Sequence, residues 1–209
     1  VARSKRSRLA AGIKKAIDAL PAALTVFHVT QPMTGANNST QYIGMVTYMS
    51  LYSGQQETIK IEVGLREPLL LPADAGMCAT VLLDPVSHQP MVRTIKARCI
   101  PRLEAFAEKF RAALSRREVA IRDFFDIDYA IRNGGLNPEN KNLIQLLRKK
   151  LDIPGNESVD ISAERKQLLH RQLDTQLKSV LREKDFREFN LDRAFQVVTR
   201  MAERMNDVE

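Results

Sequence analysis

The spacing of apolar residues changes near Pro101, and this change constrains the fold more than any other feature of the chain. From Thr58 to Val63 the residues alternate, with Ile59, Ile61 and Val63 predicted to face inward and the polar residues outward. Beyond Pro101 apolar residues recur every three or four positions, in segments near 101–116, 118–132, 139–151, 162–182 and 190–205. A period of two is typical of a half-buried strand and one of 3.6 of an amphipathic helix. Strands followed by helices predict an α+β fold, with an α+β domain over residues 1–100 that contains an antiparallel sheet and a helical bundle over 101–209.

The first half contains several shorter signals. We predict a helix over residues 7–20, ended by Pro21, a strand over 24–29 and a turn over 35–39. Residues 42–51 are predicted to pair with 58–63 as an antiparallel hairpin. Alternate residues of the segment 42–51 are expected to lie on one side of it. These residues are Ile43, Met45, Thr47, Met49 and Leu51. Prolines in 66–92 predict irregular structure with at most short strands, and 92–97 is a further candidate strand.

Composition limits the class of protein. The chain has 209 residues, of which 44% are hydrophobic, and shows neither a membrane-length apolar run nor a signal-peptide pattern, so we expect a soluble, cytoplasmic protein that does not bind membranes. Its formal net charge is +7, and six basic residues precede the first acid, Asp18. This asymmetry permits a nucleotide or RNA partner, and a merely solvated basic segment is the alternative.

Cysteines and histidines suggest no metal site. Cys78 and Cys99 lack CxxC spacing and a nearby histidine, so we expect two reduced, mostly buried thiols. The three histidines lie in different segments and form no recognisable catalytic pair.

Two successive helices carry the candidate site residues. In the first, Lys109 lies at the edge of the apolar stripe, from where its ammonium could reach a polar cleft while its stem covers apolar surface. In the second, Asp123 and Asp126 are three residues apart and are predicted to share one polar rim. The alternative is a solvated lysine and two surface acids, with Arg122 and Asp126 as a weak ion pair.

Asp128 does not fit the apolar pattern of the second helix. It falls among phenylalanine and isoleucine residues, where an unpaired carboxylate would be costly to bury. We therefore expect that either the helix bends away at this point or Asp128 has a partner.

Together these segments resemble the AbiEii/AbiGii family of abortive-infection nucleotidyltransferase toxins, over roughly residues 40 to 205. The matching stretches are IKIEV at 59–63, EAFAEKFRAAL at 104–114 followed by Arg116, RDFFD at 122–126 and FNLD at 189–192 before Ala194-Phe195. The spacing from Lys109 to Asp126 is the specific part of the resemblance. Such proteins resemble DNA polymerase beta in their catalytic core. The resemblance implies transfer of a nucleoside monophosphate from a nucleoside triphosphate to an RNA, such as tRNA, or to a protein, and a cognate antitoxin as partner.

The resemblance also implies roles for individual residues. Glu62 would be the third carboxylate of a metal site that binds two Mg²⁺ or Mn²⁺ ions. Lys109 would hold the triphosphate, and Asp123 would orient that lysine or the acceptor. Arg122 and Asp126 would support nucleotide binding.

The chain departs from the family pattern at its start. Family members carry a Gly-Gly-Ser/Thr turn and an Asp-x-Asp strand upstream of the hairpin, and that pair supplies the main metal ligands. Between Val1 and Glu57 the only acid here is Asp18. We therefore expect a truncated family member, in which the metal ions bind only when the missing acidic pair is present. The competing hypothesis is a non-catalytic protein that binds RNA or a partner protein.

Overall fold

The computed structural model describes residues 3–80 and 83–207 and confirms the α+β prediction. Contacts divide the chain into two compact units, Val1–Pro68 and Leu69–Glu209. The change from strands to helices near residue 100 lies inside the second unit. Within the described ranges no helix is long and apolar enough to cross a membrane.

The first unit consists of a helix packed on an antiparallel sheet with strand order β1-β2-β3. Its elements are α1 (Arg3–Asp18), α2 (Leu20–Ala23), β1 (His28–Ala36), β2 (Gln41–Met49) and β3 (Gln56–Gly64). The predicted hairpin is confirmed, because β2 and β3 pair without interruption from Gln41 opposite Gly64 to Met49 opposite Gln56. The strand predicted over 24–29 is largely wrong, since β1 begins only at His28.

The buried residues of β2 lie mainly on the face that contains Tyr42 and Val46. Thr47 of the other row is also buried, whereas Met49 of that row is exposed. Gly44 lies on the same face as Tyr42 and Val46, and a Cβ there would lie 2.5 Å from the sulfur of Met33. The missing side chain of Gly44 therefore lets Met33 lie against this face of the strand.

The second unit begins with a two-stranded hairpin and continues as helices. Its elements are β4 (Asp74–Cys78), β5 (Ile95–Cys99), α3 (Arg102–Ser115), α4 (Ile121–Asn133), α5 (Lys141–Leu151), α6 (Ala163–Gln172), a π-helical turn (Leu173–Leu177), α7 (Glu183–Glu188) and α8 (Leu191–Asp207). The predicted helices are confirmed except that the segment 162–182 leaves α-helical geometry after Gln172. Both cysteines are free as expected, but Cys78 is exposed and Cys99 only partly buried, which corrects the prediction of mostly buried thiols.

Helices α3, α4, α5 and α8 enclose the main core. Phe110 and Phe124 are fully buried, and the ring of Phe124 stacks on that of Phe195 at 5.9 Å between centroids. Burial of each such side chain contributes about 1.5–3 kcal/mol. The apolar stripes of α3 and α4 are therefore held together, and their polar edges come into contact.

A buried ion pair fixes the start of α3. Glu104 and Lys150 are 1% and 3% exposed, and the Lys150 Nζ lies 2.7 Å from Glu104 Oε1. The backbone N–H groups of Leu70 and Leu71 donate to the same carboxylate at 2.9 and 2.8 Å. Burial alone would raise the pKa of Glu104, but these hydrogen bonds outweigh it and leave the pKa lowered. The contact attaches the first residues of the second unit to α3 and α5.

We expect Glu104→Gln to destabilise the protein by about 3–5 kcal/mol, because the substitution removes the carboxylate that lies nearest to the buried ammonium of Lys150, at 2.7 Å, whereas Glu108 Oε2 is 3.8 Å away. Urea denaturation of the variant and of wild type would measure the loss. The exposed Glu164 of α6 provides a matched control, and Glu164→Gln should change stability by less than about 0.5 kcal/mol.

The stabilisation by Glu104 should also depend on pH. Because the folded-state pKa lies below the ordinary value of 4.5, the contribution is complete above that value and is lost as the pH falls through the lowered pKa. The stability difference between wild type and Glu104→Gln should therefore shrink on acidification. A difference that stays constant between neutral and strongly acidic pH would show that the carboxylate does not carry the contact.

Candidate functional site

Three of the predicted site residues meet where α3 and α4 pack together. Lys109 of α3 places its Nζ 2.5 Å from Asp126 Oδ2 and 3.5 Å from Asp123 Oδ1 of α4. The lysine side chain is 40% exposed, as is that of Asp126. The spacing of two amphipathic helices thus brings one ammonium and two carboxylates into one cluster.

Asp123 differs from its prediction as a member of an exposed polar rim. The residue is only 3% exposed, and Arg116 binds its second carboxylate oxygen, with 2.8 Å between Nη1 and Oδ2. One buried carboxylate therefore holds two cations, Lys109 on one oxygen and Arg116 on the other. These two charges offset the cost of removing the carboxylate from water.

No role was predicted for Arg116, although a signal for one was present. Arg116 follows Lys109 by seven residues, which is two turns of the predicted helix 101–116, and in the structure it is the residue directly after α3. The alternative prediction was an ion pair between Arg122 and Asp126. Of the described cations, Lys109 is the one that Asp126 binds.

Arg165 of α6 holds the C-terminal end of α3 and was not predicted. Its guanidinium is buried and donates to the carbonyl oxygens of Ala113 and Arg116, with Nη2 at 3.0 and 3.2 Å. Burial lowers the pKa of Arg165, and the negative charges of Asp160 and Asp123 oppose this shift. The carbonyl groups left open at a helix end thus receive donors, and the backbone of Arg116 is held in place.

An open groove of about 710 Å³, which we call the arginine groove, adjoins this cluster. Gln172 forms part of its wall and connects α6 to the loop before α4, because its amide donates to Val119 O at 2.9 Å and accepts from Ile121 N at 2.8 Å. The groove is lined by Arg116, Arg117, Glu118, Val119, Ala120, Ile121, Arg122, Leu168, Gln172, Gln176 and Val180. Three guanidinium groups around one concave surface favour an anionic ligand.

Glu62, the predicted metal ligand, lies in the first unit. It is on β3, its carboxylate is about half exposed, and Lys60 Nζ lies 2.5 Å from Oε1. Across residues 3–80 and 83–207, no group of three His, Cys, Asp or Glu side chains could hold a metal ion. The donors present in these ranges do not fit a two-metal centre.

Asp128 has partners, which is one of the two outcomes expected for it. Arg193 of α8 binds it at 2.6 and 2.9 Å through Nε and Nη2, and Arg132 Nε lies 2.9 Å from Oδ2. The carboxylate is buried and joins α4 to α8. Its role is therefore structural, and it stabilises the helix that carries Asp123.

We expect Asp123→Asn to reduce stability by about 1–2 kcal/mol, which is less than for a fully buried pair because water can still reach Lys109 and Arg116. Asp126→Asn removes a carboxylate from the same lysine at an exposed position and should cost no more than about 0.5 kcal/mol. Chemical denaturation of both variants tests the difference. Equal losses would contradict the buried two-cation arrangement around Asp123.

Solved structures of two Helicobacter pylori proteins are similar to this chain. JHP933 is 15% identical, with a TM-score of 0.41, over 86% of this chain and 62% of its own length. The second, named as a candidate nucleotidyltransferase, is 15% identical with a TM-score of 0.42 over 88% of this chain and 68% of its own length. The chain thus spans somewhat less than two thirds of the length of JHP933. A comparison with curated proteins gave no significant match.

A family model described as "Nucleotidyl transferase AbiEii toxin, Type IV TA system" matches residues 1–202. The match confirms the resemblance inferred from the motifs and begins closer to the N-terminus than the predicted residue 40. The chain belongs to the family of AbiEii nucleotidyl transferase toxins.

Proposed function

We propose that the protein is a nucleotidyltransferase that binds the phosphate chain of a nucleoside triphosphate beside α3 and α4 and transfers a nucleoside monophosphate to an acceptor. The observation that carries this proposal is the buried carboxylate of Asp123, which holds Lys109 and Arg116 side by side. Two partly exposed cations at fixed positions suit a ligand that carries several adjacent negative charges.

The existing partners of Lys109 leave it available to a phosphate. Its shortest contact is with Asp126, whose side chain is 40% exposed, and an exposed ion pair of this kind contributes only about 0–1 kcal/mol. A phosphate oxygen can replace that partner at little cost. Asp123 remains in place, because it is buried and also held by Arg116.

These contacts support distinct roles for the site residues. Lys109, Arg116 and Arg122 would bind phosphate oxygens, the last from the first turn of α4 at the edge of the arginine groove. Asp123 would act as a positioning residue, since it orients two cations and does not itself contact the nucleotide. Asp126 would hold Lys109 until the nucleotide arrives.

Divalent metal ions are the part of this function that the described residues do not supply. Mg²⁺ or Mn²⁺ would stabilise charge on the transferred phosphoryl group. However, Glu62 is paired with Lys60, and the described side chains form no three-ligand cluster. We therefore propose no chemical step through a metal held by these residues alone.

Membership of a type IV toxin family supports a cognate antitoxin as a further partner, and we propose RNA, such as tRNA, or protein as the class of acceptor. A second candidate function is non-catalytic binding of RNA or a partner protein, and the absence of a metal cluster among the described side chains favours it. RNA binding that weakens steeply with salt and ignores chelators, without label transfer, would support this second function.

We expect Lys109→Ala to weaken binding of a nucleoside triphosphate by about 10- to 100-fold, the equivalent of one charge-assisted hydrogen bond of about 1.5–3 kcal/mol. Isothermal titration calorimetry with ATP and GTP would measure the change. Lys149 is an exposed lysine on α5, so Lys149→Ala is the matched control and should bind as wild type does. Equal affinities in all three proteins would exclude Lys109 from the nucleotide site.

The transfer reaction needs its own assay. Labelled triphosphates with Mg²⁺ or Mn²⁺, offered tRNA, total RNA and total protein as acceptors, should give incorporation that is strongly reduced by Asp123→Asn. Arg116→Lys should retain part of the activity, because it keeps the charge but loses the paired donors. If wild type transfers no label to any acceptor, the enzyme hypothesis fails, whereas the binding result for Lys109 stands on its own.

A further inference from the structure

The first unit contains a second groove, of about 510 Å³, that is lined by Arg6, Ser7, Asn38, Ser39 and Tyr42. We call it the turn groove, because the turn between β1 and β2 forms one of its sides. We propose that the turn groove binds a phosphate group. This site lies entirely within Val1–Pro68 and is independent of the nucleotide site proposed on α3 and α4.

Arg6 lies on the stripe of α1 that packs on the sheet. Helix α1 packs on the sheet through Ala10, Ile13 and Ile17, which follow one another at helical spacing. Arg6 precedes Ala10 by four residues and so continues the same stripe. A guanidinium therefore takes the place that an apolar residue would occupy if packing alone decided the sequence.

The guanidinium of Arg6 has an unsatisfied hydrogen-bond donor. Its Nε atom is buried, yet it has no hydrogen-bond partner in the part of the chain that the structure describes. A buried donor of a charged group that lacks an acceptor costs about 1–3 kcal/mol or more. An oxygen of a bound phosphate is the kind of acceptor that would satisfy it.

The rest of the lining matches a phosphate in its chemistry. Ser7, Ser39 and Tyr42 carry hydroxyl groups and Asn38 carries an amide, so every lining side chain can donate a hydrogen bond and none is a carboxylate. The nearest acid of α1 is Asp18, twelve residues from Arg6, or about 18 Å along the helix axis. Lys14 lies over the Tyr42 ring at 5.7 Å and adds positive charge on the same side.

The turn itself is held in an unusual conformation. Asn37, Asn38 and Ser39 have φ values of 50°, 53° and 59°, in the left-handed region that non-glycine residues seldom adopt. Thr40 stabilises this backbone by donating its hydroxyl to Asn37 O at 2.6 Å, and Asn37 Nδ2 donates to Gln41 Oε1 at 2.7 Å. The turn therefore presents Asn38 and Ser39 opposite Arg6 as a preformed surface.

The test uses the whole chain with Lys109→Ala as background, which is expected to weaken the proposed nucleotide site by about 10- to 100-fold. Calorimetric titrations with inorganic phosphate, with AMP and with a single-stranded ribo-oligonucleotide distinguish a free phosphate from a nucleotide or a nucleic-acid backbone. Arg6→Gln should lower affinity at least tenfold for whichever of these probes binds. Arg8→Gln, at an exposed position on the same helix, should lower it less than twofold.

A second variant keeps the proposal testable if Arg6→Gln disturbs folding. Asn38→Asp adds a carboxylate to the groove at an exposed turn position and should also lower affinity at least tenfold, by repulsion of the phosphate. Circular dichroism and thermal unfolding would confirm that the variants remain folded. Equal losses in Arg6→Gln and Arg8→Gln, no effect of Asn38→Asp, or no binding of any probe would each overturn the proposal.

Discussion

The buried carboxylate of Asp123 is the contact on which the candidate site depends. A carboxylate that loses its water needs compensating charges, and here Lys109 of α3 and Arg116, the residue directly after α3, provide them. In return, the carboxylate of Asp123 holds the flexible side chains of Lys109 and Arg116 at one place. The packing of α3 on α4 is therefore a requirement of the site, since a shift between these helices would separate the acid from both bases.

Much of the second unit could be predicted because its helices have strong, uninterrupted apolar periods. The resemblance to the toxin family implied that Lys109 and Asp123 act together, and the packing of two amphipathic helices through their apolar stripes explains why their polar edges meet. Burial of Asp123 could not be predicted in this way, since it depends on Arg116 and on Arg165, which lies on a later helix. Local spacing predicts which side of a helix a residue lies on, whereas tertiary packing determines whether that side meets water.

The first unit shows a different limit of the same reasoning. Alternation identified the β2–β3 hairpin, but it did not indicate which row of β2 is packed, because Gly44 makes room for Met33. The strand predicted from 24–29 failed since an apolar run rich in β-branched residues indicates an extended segment without indicating a neighbour that pairs with it. A strand is defined by hydrogen bonds to another strand, so its beginning depends on residues far away in sequence.

The cations of the two proposed sites differ in their carboxylate partners, and this difference follows from where the acids lie in the sequence. Helices α3 and α4 carry both acids and bases, and carboxylates of α4 hold Lys109 and Arg116 in place. In α1 the nearest acid to Arg6 is Asp18, at the other end of the helix and about 18 Å away along its axis. A cation held by a carboxylate stays at a defined position, where a ligand anion can replace the carboxylate. A cation without a nearby acid attracts anions through its uncompensated positive charge. The arginine groove therefore suits selective binding of a phosphate chain, and the turn groove suits any ligand that presents a phosphate oxygen to the buried Arg6 Nε.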